Sequence, residues 1–388
     1  MRPNAPDEAL TLIAVGDISV GDCAQGVGHG VHTRFERLRD VSARYPFEHT
    51  APLLGKADMV FGNLETVLSH RGLLRWRAAS LEMRGHPDIV ERLDAAGFNV
   101  LNVANNHMMQ HGAGAFTDTV NALRGRGLSV VGVASADHRI SLPQVVRVKG
   151  LRVTILGFAF EDDKYARGPV LYAFAPNCDL VGQIREARLH SDLVICSVHW
   201  GVEFMLHPSA GEEVLGRQLV DAGADLVLGH HPHVPRRVER YGRGLIAYSL
   251  GNFVFDQLWN ASLRTAIVLR VTLSRNGVEA HSIEPAWIDD DYQPRPMSGD
   301  ERLQAMRALE EVWRRPDWVS DQEAYDRRYQ ECVTRNRYES YRHFLRHVHR
   351  RPLTYTAQTL VRTVYRKAAG RKKARRSNVL KALWRRRS

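Results

Sequence analysis

Six short segments hold the residues whose types could do chemistry. LTLIAVGD ends in Asp17, MVFGNLE carries Asn63 and Glu65, and LNVANNH delivers Asn105, Asn106 and His107. ICSVHWGVE supplies His199 and Glu203, LVLGHHPHV supplies His230, His231 and His233, and AYSLGNFVFD closes the series. The polar residues follow short apolar runs, as side chains delivered at the ends of buried strands do. Imidazole and oxygen donors without thiolate suit zinc, manganese or iron, and six or more candidates exceed the needs of one tetrahedral ion. Two divalent ions, manganese, iron or zinc, are the economical reading. Such a pair, about 3.5 to 4 Å apart, lowers the pKa of a bridging water and clamps the oxygens of a phosphoryl centre. Glu65 is the candidate bridging carboxylate between them. His107, next to the candidate ligand Asn106, is placed to protonate a leaving oxygen as general acid.

Taken singly, each residue has a plainer account. Asp17 reads equally as a turn or helix-capping acid, Glu65 as a surface acid, and Asn106 as a turn residue tolerating a left-handed backbone. His199 reads as a satisfied core histidine. The HHPH cluster resists this treatment, because three imidazoles within four positions would lose solvation without a metal or hydrogen-bond partners. The five successive strand ends together favour a site.

The elements that must position these groups are legible in the same runs. Apolar stretches at Thr11–Val15, Met59–Phe61, Val100–Ala104, Val130–Val133, Val153–Leu156, Leu193–Val198, Leu226–Leu228, Leu245–Tyr248 and Ile267–Leu273 read as strands. Helical spacing lies between many of them, over Pro87–Ala96, Phe116–Arg124 and Glu212–Ala222, with glycine after the first and third. The alternation predicts an α/β sheet with helices on both faces, whose strand carboxyl ends converge on one ligand-binding edge. From Ile246 through Val278 to Ile288 strands are expected without intervening helices, which predicts a mixed or second sheet.

The segments GDISVGD, ADMVFGNLE, GFNVLNVANNH, SVHWGVEF, DAGADLVLGHHPHV and AYSLGNFVFD resemble, in order and spacing, the CapA family of poly-gamma-glutamate capsule biosynthesis proteins. The resemblance runs from about residue 11 to 257. It implies a branch of the calcineurin-like metallophosphoesterases: a metallo-dependent phosphatase-like sandwich of two mixed sheets flanked by helices, with a dinuclear metal centre at the strand ends. By it, Asp17 is the first carboxylate ligand, Glu65 the bridging one, Asn106 the amide ligand, His107 the general acid and His199 the lone imidazole ligand. His231 and His233 match the superfamily's GHxH element, and His230, directly after Gly229, is a further ligand candidate. Ser249, Gly251 and Asn252 read as a tight turn beside the site, or as structural. Two departures stand out. Ser19 occupies the place of the histidine in the superfamily's Asp-x-His, and Gln110 stands where the family usually carries an acid.

Composition bounds the rest. The 388 residues carry a net charge of +11, yet every acid lies at or before Glu339, and the residues after it hold 16 Lys and Arg. With 44% hydrophobic residues, global disorder, collagen-like and disulfide-rich classes are excluded. Cys23, Cys178, Cys196 and Cys332 form no CxxC pair and read as reduced, buried thiols. Asp7 and Glu8 before the first apolar run do not suit a signal peptide, and no run approaches a membrane span. The expectation is a cytoplasmic protein, peripheral at the inner membrane surface. Arg75, Arg77 and Arg84 either meet an anionic ligand or are solvated loop charges.

The expected organisation is a domain over 10–290, a helical extension over 300–349 broken by Pro316 and Pro352, and a basic amphipathic tail over 350–388. Leu360, Val361, Val364, Tyr365, Val379, Leu380, Leu383 and Trp384 fall at helical spacing there. Interfacial membrane association is the preferred reading of the tail, with a solvated tail or nucleic-acid binding as alternatives. No nucleic-acid module is recognisable. The expected function is capsule or cell-envelope polymer biosynthesis with a metal-dependent phosphoester hydrolase site. Its substrate would be an anionic polymer or a phosphoester. The alternative is a non-catalytic accessory or polymer-binding subunit of a membrane synthase.

Overall fold

The apolar runs become strands because both their faces are covered. In the computed structural model of the protein, residues 9–38, 42–72, 78–161 and 170–368 are described. Arg75, Arg77, Val379, Leu380, Leu383 and Trp384 lie outside the described residues. In chain order the strands are β1 (Leu10–Ile18), β2 (Met59–Leu64), β3 (Val67–Leu68), β4 (Arg84–Gly85), β5 (Val100–Asn102), β6 (Ser129–Val131), β7 (Gln144–Val148), β8 (Leu151–Ala159), β9 (Leu193–His199), β10 (Leu226–His230), β11 (Val238–Tyr241), β12 (Gly244–Ala247), β13 (Asn252–Val254), β14 (Thr265–Ser274), β15 (Gly277–Ile288) and β16 (Pro294–Pro296). The helices are α1 (Val31–Leu38), α2 (Ala51–Leu54), α3 (Ile89–Ala95), α4 (Gly112–Gly125), α5 (Leu180–Leu189), α6 (Ala210–Asp221), α7 (Ala261–Arg264), α8 (Gly299–Trp313), α9 (Gln322–His347) and α10 (Leu353–Ala368).

Two mixed sheets stack between helical layers. One runs β16-β15-β14-β1-β2-β5-β6 with β13 also paired to β1, and the other runs β11-β12-β10-β9-β8-β7. The interiors, β1-β2-β5-β6 and β8-β9-β10-β12, are parallel, and antiparallel strands extend the flanks. Alternation along β1 shows the layering. Leu10, Leu12 and Ala14 pack with Ile155 and Ile195 between the sheets, while Ile13 and Val15 pack with Leu93 of α3 and Leu123 of α4. On β9 the same period sends Leu193 and Ile195 inward and Val194, Cys196 and Val198 toward Ile184 of α5 and Leu219 of α6. The architecture is the expected sandwich of two mixed sheets flanked by helices.

Local signals fix the helix ends. Ser209 and Glu212 form a reciprocal capping box at the start of α6, and the Asp179 carboxylate accepts from Gly182 N at 3.0 Å to cap α5. The sequence predicted strands without intervening helices after Ile246, and the structure departs from this at one point. The four-residue α7, capped by Asn260 accepting from Leu263 N, stands between β13 and β14. After β16 come α8, α9 and α10, with Pro316 and Pro352 in the breaks between them. Arg351 and Tyr355 are buried at the start of α10, and both bond to the Ala24 carbonyl. Among the described residues, no helix is long and apolar enough to cross a membrane.

Candidate metal centre

Strand register gathers the polar residues. Asp17 on β1 pairs with Asn63 on β2 and with Asn252 on β13, Asn63 pairs with Asn102 on β5, and His230 on β10 pairs with His199 on β9. Both sheets therefore end in polar side chains at one edge. Glu65, Asn106, His107, His231 and His233 follow within a few residues of their strands. The structure brings together every candidate: Asp17, Glu65, Asn106, His199, His230, His231 and His233 are buried, and His107 is partly exposed.

Glu65 is the most telling member. It is fully buried, and neither carboxylate oxygen has a hydrogen-bond partner among the described residues. Its Oε1 lies 3.8 Å from His107 Nε2, 3.8 Å from His199 Nε2 and 3.9 Å from His233 Nε2. Ligand-type atoms of Glu65, His231 and His233 all fall within 4.8 Å of one another, and so do those of Asp17, Glu65 and His199. Glu65 belongs to both groups. An unsolvated carboxylate without donors is costly, and a cation is the partner its surroundings suit. These residues fit metal ions.

Electrostatics report the same crowding. Burial, and then the neighbouring Asp17 charge, push Glu65 well above the usual carboxylate range. Burial would also raise Asp17, but His230 and His233 hold it well below. Burial and the nearby His231 drive His199 well below the usual imidazole value. Burial alone would lower His233, yet the charges of Glu65 and Asp17 raise it to about 9. Carboxylates and imidazoles are thus displaced in opposite directions within one buried cluster.

A shell of amides orients the cluster. Asn63 Nδ2 donates to Asp17 Oδ1 at 2.8 Å, and Asn63 Oδ1 accepts from Asn102 at 2.8 Å and from Asn105 at 3.3 Å. Asn106 Oδ1 lies 2.8 Å from His199 Nε2. His233 Nδ1 donates to Asn252 Oδ1 at 3.0 Å, which fixes its tautomer and leaves Nε2 facing Glu65. Asn252, read from sequence as part of a turn, thus aims an imidazole. The turn itself is tight: Gly251 has φ +72°, and its carbonyl accepts from Asp17 N at 2.9 Å. His231 and His233 also have positive φ, +98° and +62°. For side chains with a Cβ this stores about 1 to 3 kcal/mol of strain per residue and persists where the surroundings dictate it.

His230 Nδ1 lies 3.4 Å from Asp17 Oδ1, and its ring stacks on Phe61. Ser19 is committed elsewhere, accepting from Thr66 Oγ1 at 2.9 Å and facing Met83 Sδ at 3.7 Å. His107 Nδ1 donates to Gln110 Oε1 at 2.9 Å. His107 and His233 open into a cleft of about 490 Å³ that Glu203 and Phe204 also line. Arg84 does not line it and bonds the carbonyls of His70 and Ser80 instead.

Two supporting roles escape a reading of the motifs. Asn102 is a buried amide inside a strand, and that placement was the available signal. Arg236 is fully buried, bonds Glu212 at 2.6 Å, and fixes the Glu203 loop through the Val202 and Met205 carbonyls. Nothing local in VPRRVE distinguishes it.

The sequence profile of the bacterial capsule synthesis protein family, PGA_cap, matches residues 11–257. The capsule biosynthesis protein CapA of Bacillus anthracis is 34% identical over 304 residues, covering 75% of this chain and 70% of that protein. The PGA biosynthesis protein CapA of Bacillus subtilis (strain 168) is 30% identical over 302 residues, covering 76% and 75%. A probable polyglutamine synthesis accessory protein of Mycobacterium tuberculosis is 30% identical over 234 residues, covering 56% and 61%.

Proposed function

The chain belongs to the bacterial capsule synthesis protein family, and we propose that it serves synthesis of an anionic polymer of the poly-gamma-glutamate kind through a metal-dependent phosphoester hydrolase centre. The observation that carries this reading is Glu65, a fully buried carboxylate with no hydrogen bond to any described residue that is shared by two groups of ligand-type atoms. Asp17, Glu65, Asn106 and His199 would hold one divalent ion, and Glu65, His231 and His233 a second. His230, beside Asp17, is the added imidazole where Ser19 offers none. Manganese, iron or zinc all suit these donors. Ions there supply Lewis-acid polarisation of a phosphoryl centre and an activated water.

His107 acts on the leaving group. Gln110 keeps a proton on Nδ1, so Nε2 is the atom that takes up a proton and gives it to the departing oxygen. A neutral amide orients the ring without raising its basicity as a carboxylate would. In a phosphodiester assay with manganese, His107→Ala lowers turnover about 10²- to 10⁴-fold and leaves bound metal unchanged. Equal turnover in the variant refutes the role.

A second reading, an accessory subunit that keeps the metal cleft to bind polymer or a membrane synthase, is favoured by Gln110 and Ser19. The mycobacterial relative's name points the same way. Metal binding without turnover of any ester selects it. The chain's surface contact is proposed to be the inner face of a membrane. Leu353, Leu360 and Val361 of α10 are exposed and precede the basic run in sequence, and nucleic acid is disfavoured for want of a module.

A further inference from the structure

Helix α9 lies outside the segment that the family profile matches, yet it closes one side of the cleft. Tyr329, Val333, Asn336, Arg337 and Ser340 line the cavity together with His107 and His233. Their spacing of three and four places them on one helical face. The helix is tied to both lips. Asn336 Oδ1 accepts from Trp259 Nε1 at 2.7 Å, and Asn260 Nδ2 donates to Glu339 Oε2 at 2.9 Å, which fixes α9 to the loop after β13. Cys332 Sγ sits 3.1 Å from the Phe204 carbonyl, and the Tyr325 hydroxyl donates to the His207 carbonyl at 3.2 Å, which fixes it to the loop after β9. A wall held at both edges presents its side chains at a set distance from the cleft floor.

Arg337 is the cation on that wall. It makes no ion pair with any described residue, whereas Arg328 on the same helix pairs with Glu331 at 3.1 Å. Asn336, its neighbour on the lining, is committed to Trp259. An exposed guanidinium with no ion pair to a described residue, lining the same cleft as His107 and His233, suits a ligand carrying anionic groups at intervals.

We infer that the cleft-facing side of α9 is the substrate-recognition wall, and that Arg337 binds an anionic oxygen-acid group, a carboxylate or a phosphate, of a chain laid along the cleft. This deepens the proposed reading of the site and rests on it for the identity of the cleft. The test uses the full-length, manganese-loaded protein with two probes, a fluorescein-labelled γ-linked decaglutamate and inorganic phosphate. Arg337→Gln weakens decaglutamate binding about tenfold with phosphate affinity unchanged if the group is a carboxylate, and weakens phosphate instead if it is a phosphate. Arg337→Lys recovers part of the loss, and Arg335→Gln, absent from the cleft lining, changes neither affinity. Unchanged affinities for both probes in Arg337→Gln, or no binding of either probe by the unmutated protein, overturn the inference. Phosphodiester turnover reads the underlying function separately. Absent turnover with Arg337-dependent binding sinks the hydrolase and leaves the wall, while normal turnover with unchanged affinities does the reverse.

Discussion

Glu65 concentrates the chemistry of the site in one side chain. Its two unbonded oxygens lie among His107, His199 and His233, and its carboxyl is driven up by burial and by Asp17. Ligand that binds only the folded state stabilises it by RT ln(1 + [L]/Kd), about 4 kcal/mol at a thousandfold excess over Kd. Manganese therefore raises the thermal midpoint of the unmutated protein, and Glu65→Gln loses most of that rise. An equal rise in both would remove Glu65 from the metal centre. Residue type and position made much of this legible, since Asp17, Glu65 and the HHPH histidines each follow an apolar run. The work of Asn252 was not. An amide in YSLGN reads alike as a turn former or an orienting group, and only the pairing of β13 with β1 beside Asp17 reveals that it aims His233.

At the scale of elements, the central parallel strands were readable because both faces are buried and the apolar runs are continuous. Of the flanking strands, β14 and β15 were readable from their apolar runs, whereas β7 was not. β7 alternates between half-buried and exposed positions, and QVVRV is too short to carry that pattern against turn alternatives. The place of α9 was also illegible, because its ties to Trp259 and Phe204 span 77 and 128 residues of sequence. A histidine stack at its carboxyl end predicts a docking that weakens in acid. His29 lies against His347 and His343, with Arg350, Arg351 and Tyr292 around it. Burial, then neighbouring positive charge, lowers His29 to about 3 and His343 to about 4. The unfolded imidazoles take up protons from about pH 6.5 downward while the folded ones do not, so stability is full above that pH and falls as pH drops toward 4. The thermal midpoint should decline between about pH 6.5 and 4.5, and His29→Phe with His343→Phe should flatten the decline. An unaltered decline in the double variant would assign the acid sensitivity to other groups.

For the whole molecule, the division of charge separates chemistry from placement. The net +11 arises entirely after Glu339, where 16 basic residues meet no acid, and the domain carrying the site is mildly acidic. With Leu360 and Val361 exposed on α10, the intact chain should float with vesicles containing anionic lipid and not with neutral ones, and salt should release it. Flotation with neither would end the membrane reading, and equal flotation with both would remove the basic run from it. The central claim, a carboxylate shared between two ions at the meeting edge of two sheets, is tested most directly by an anomalous difference map from crystals soaked in manganese. Two peaks flanking Glu65, one beside Asp17, Asn106 and His199 and the other beside His231 and His233, are the expected result. A map with no peak at Glu65, or with a single ion on one side of it, would contradict the claim.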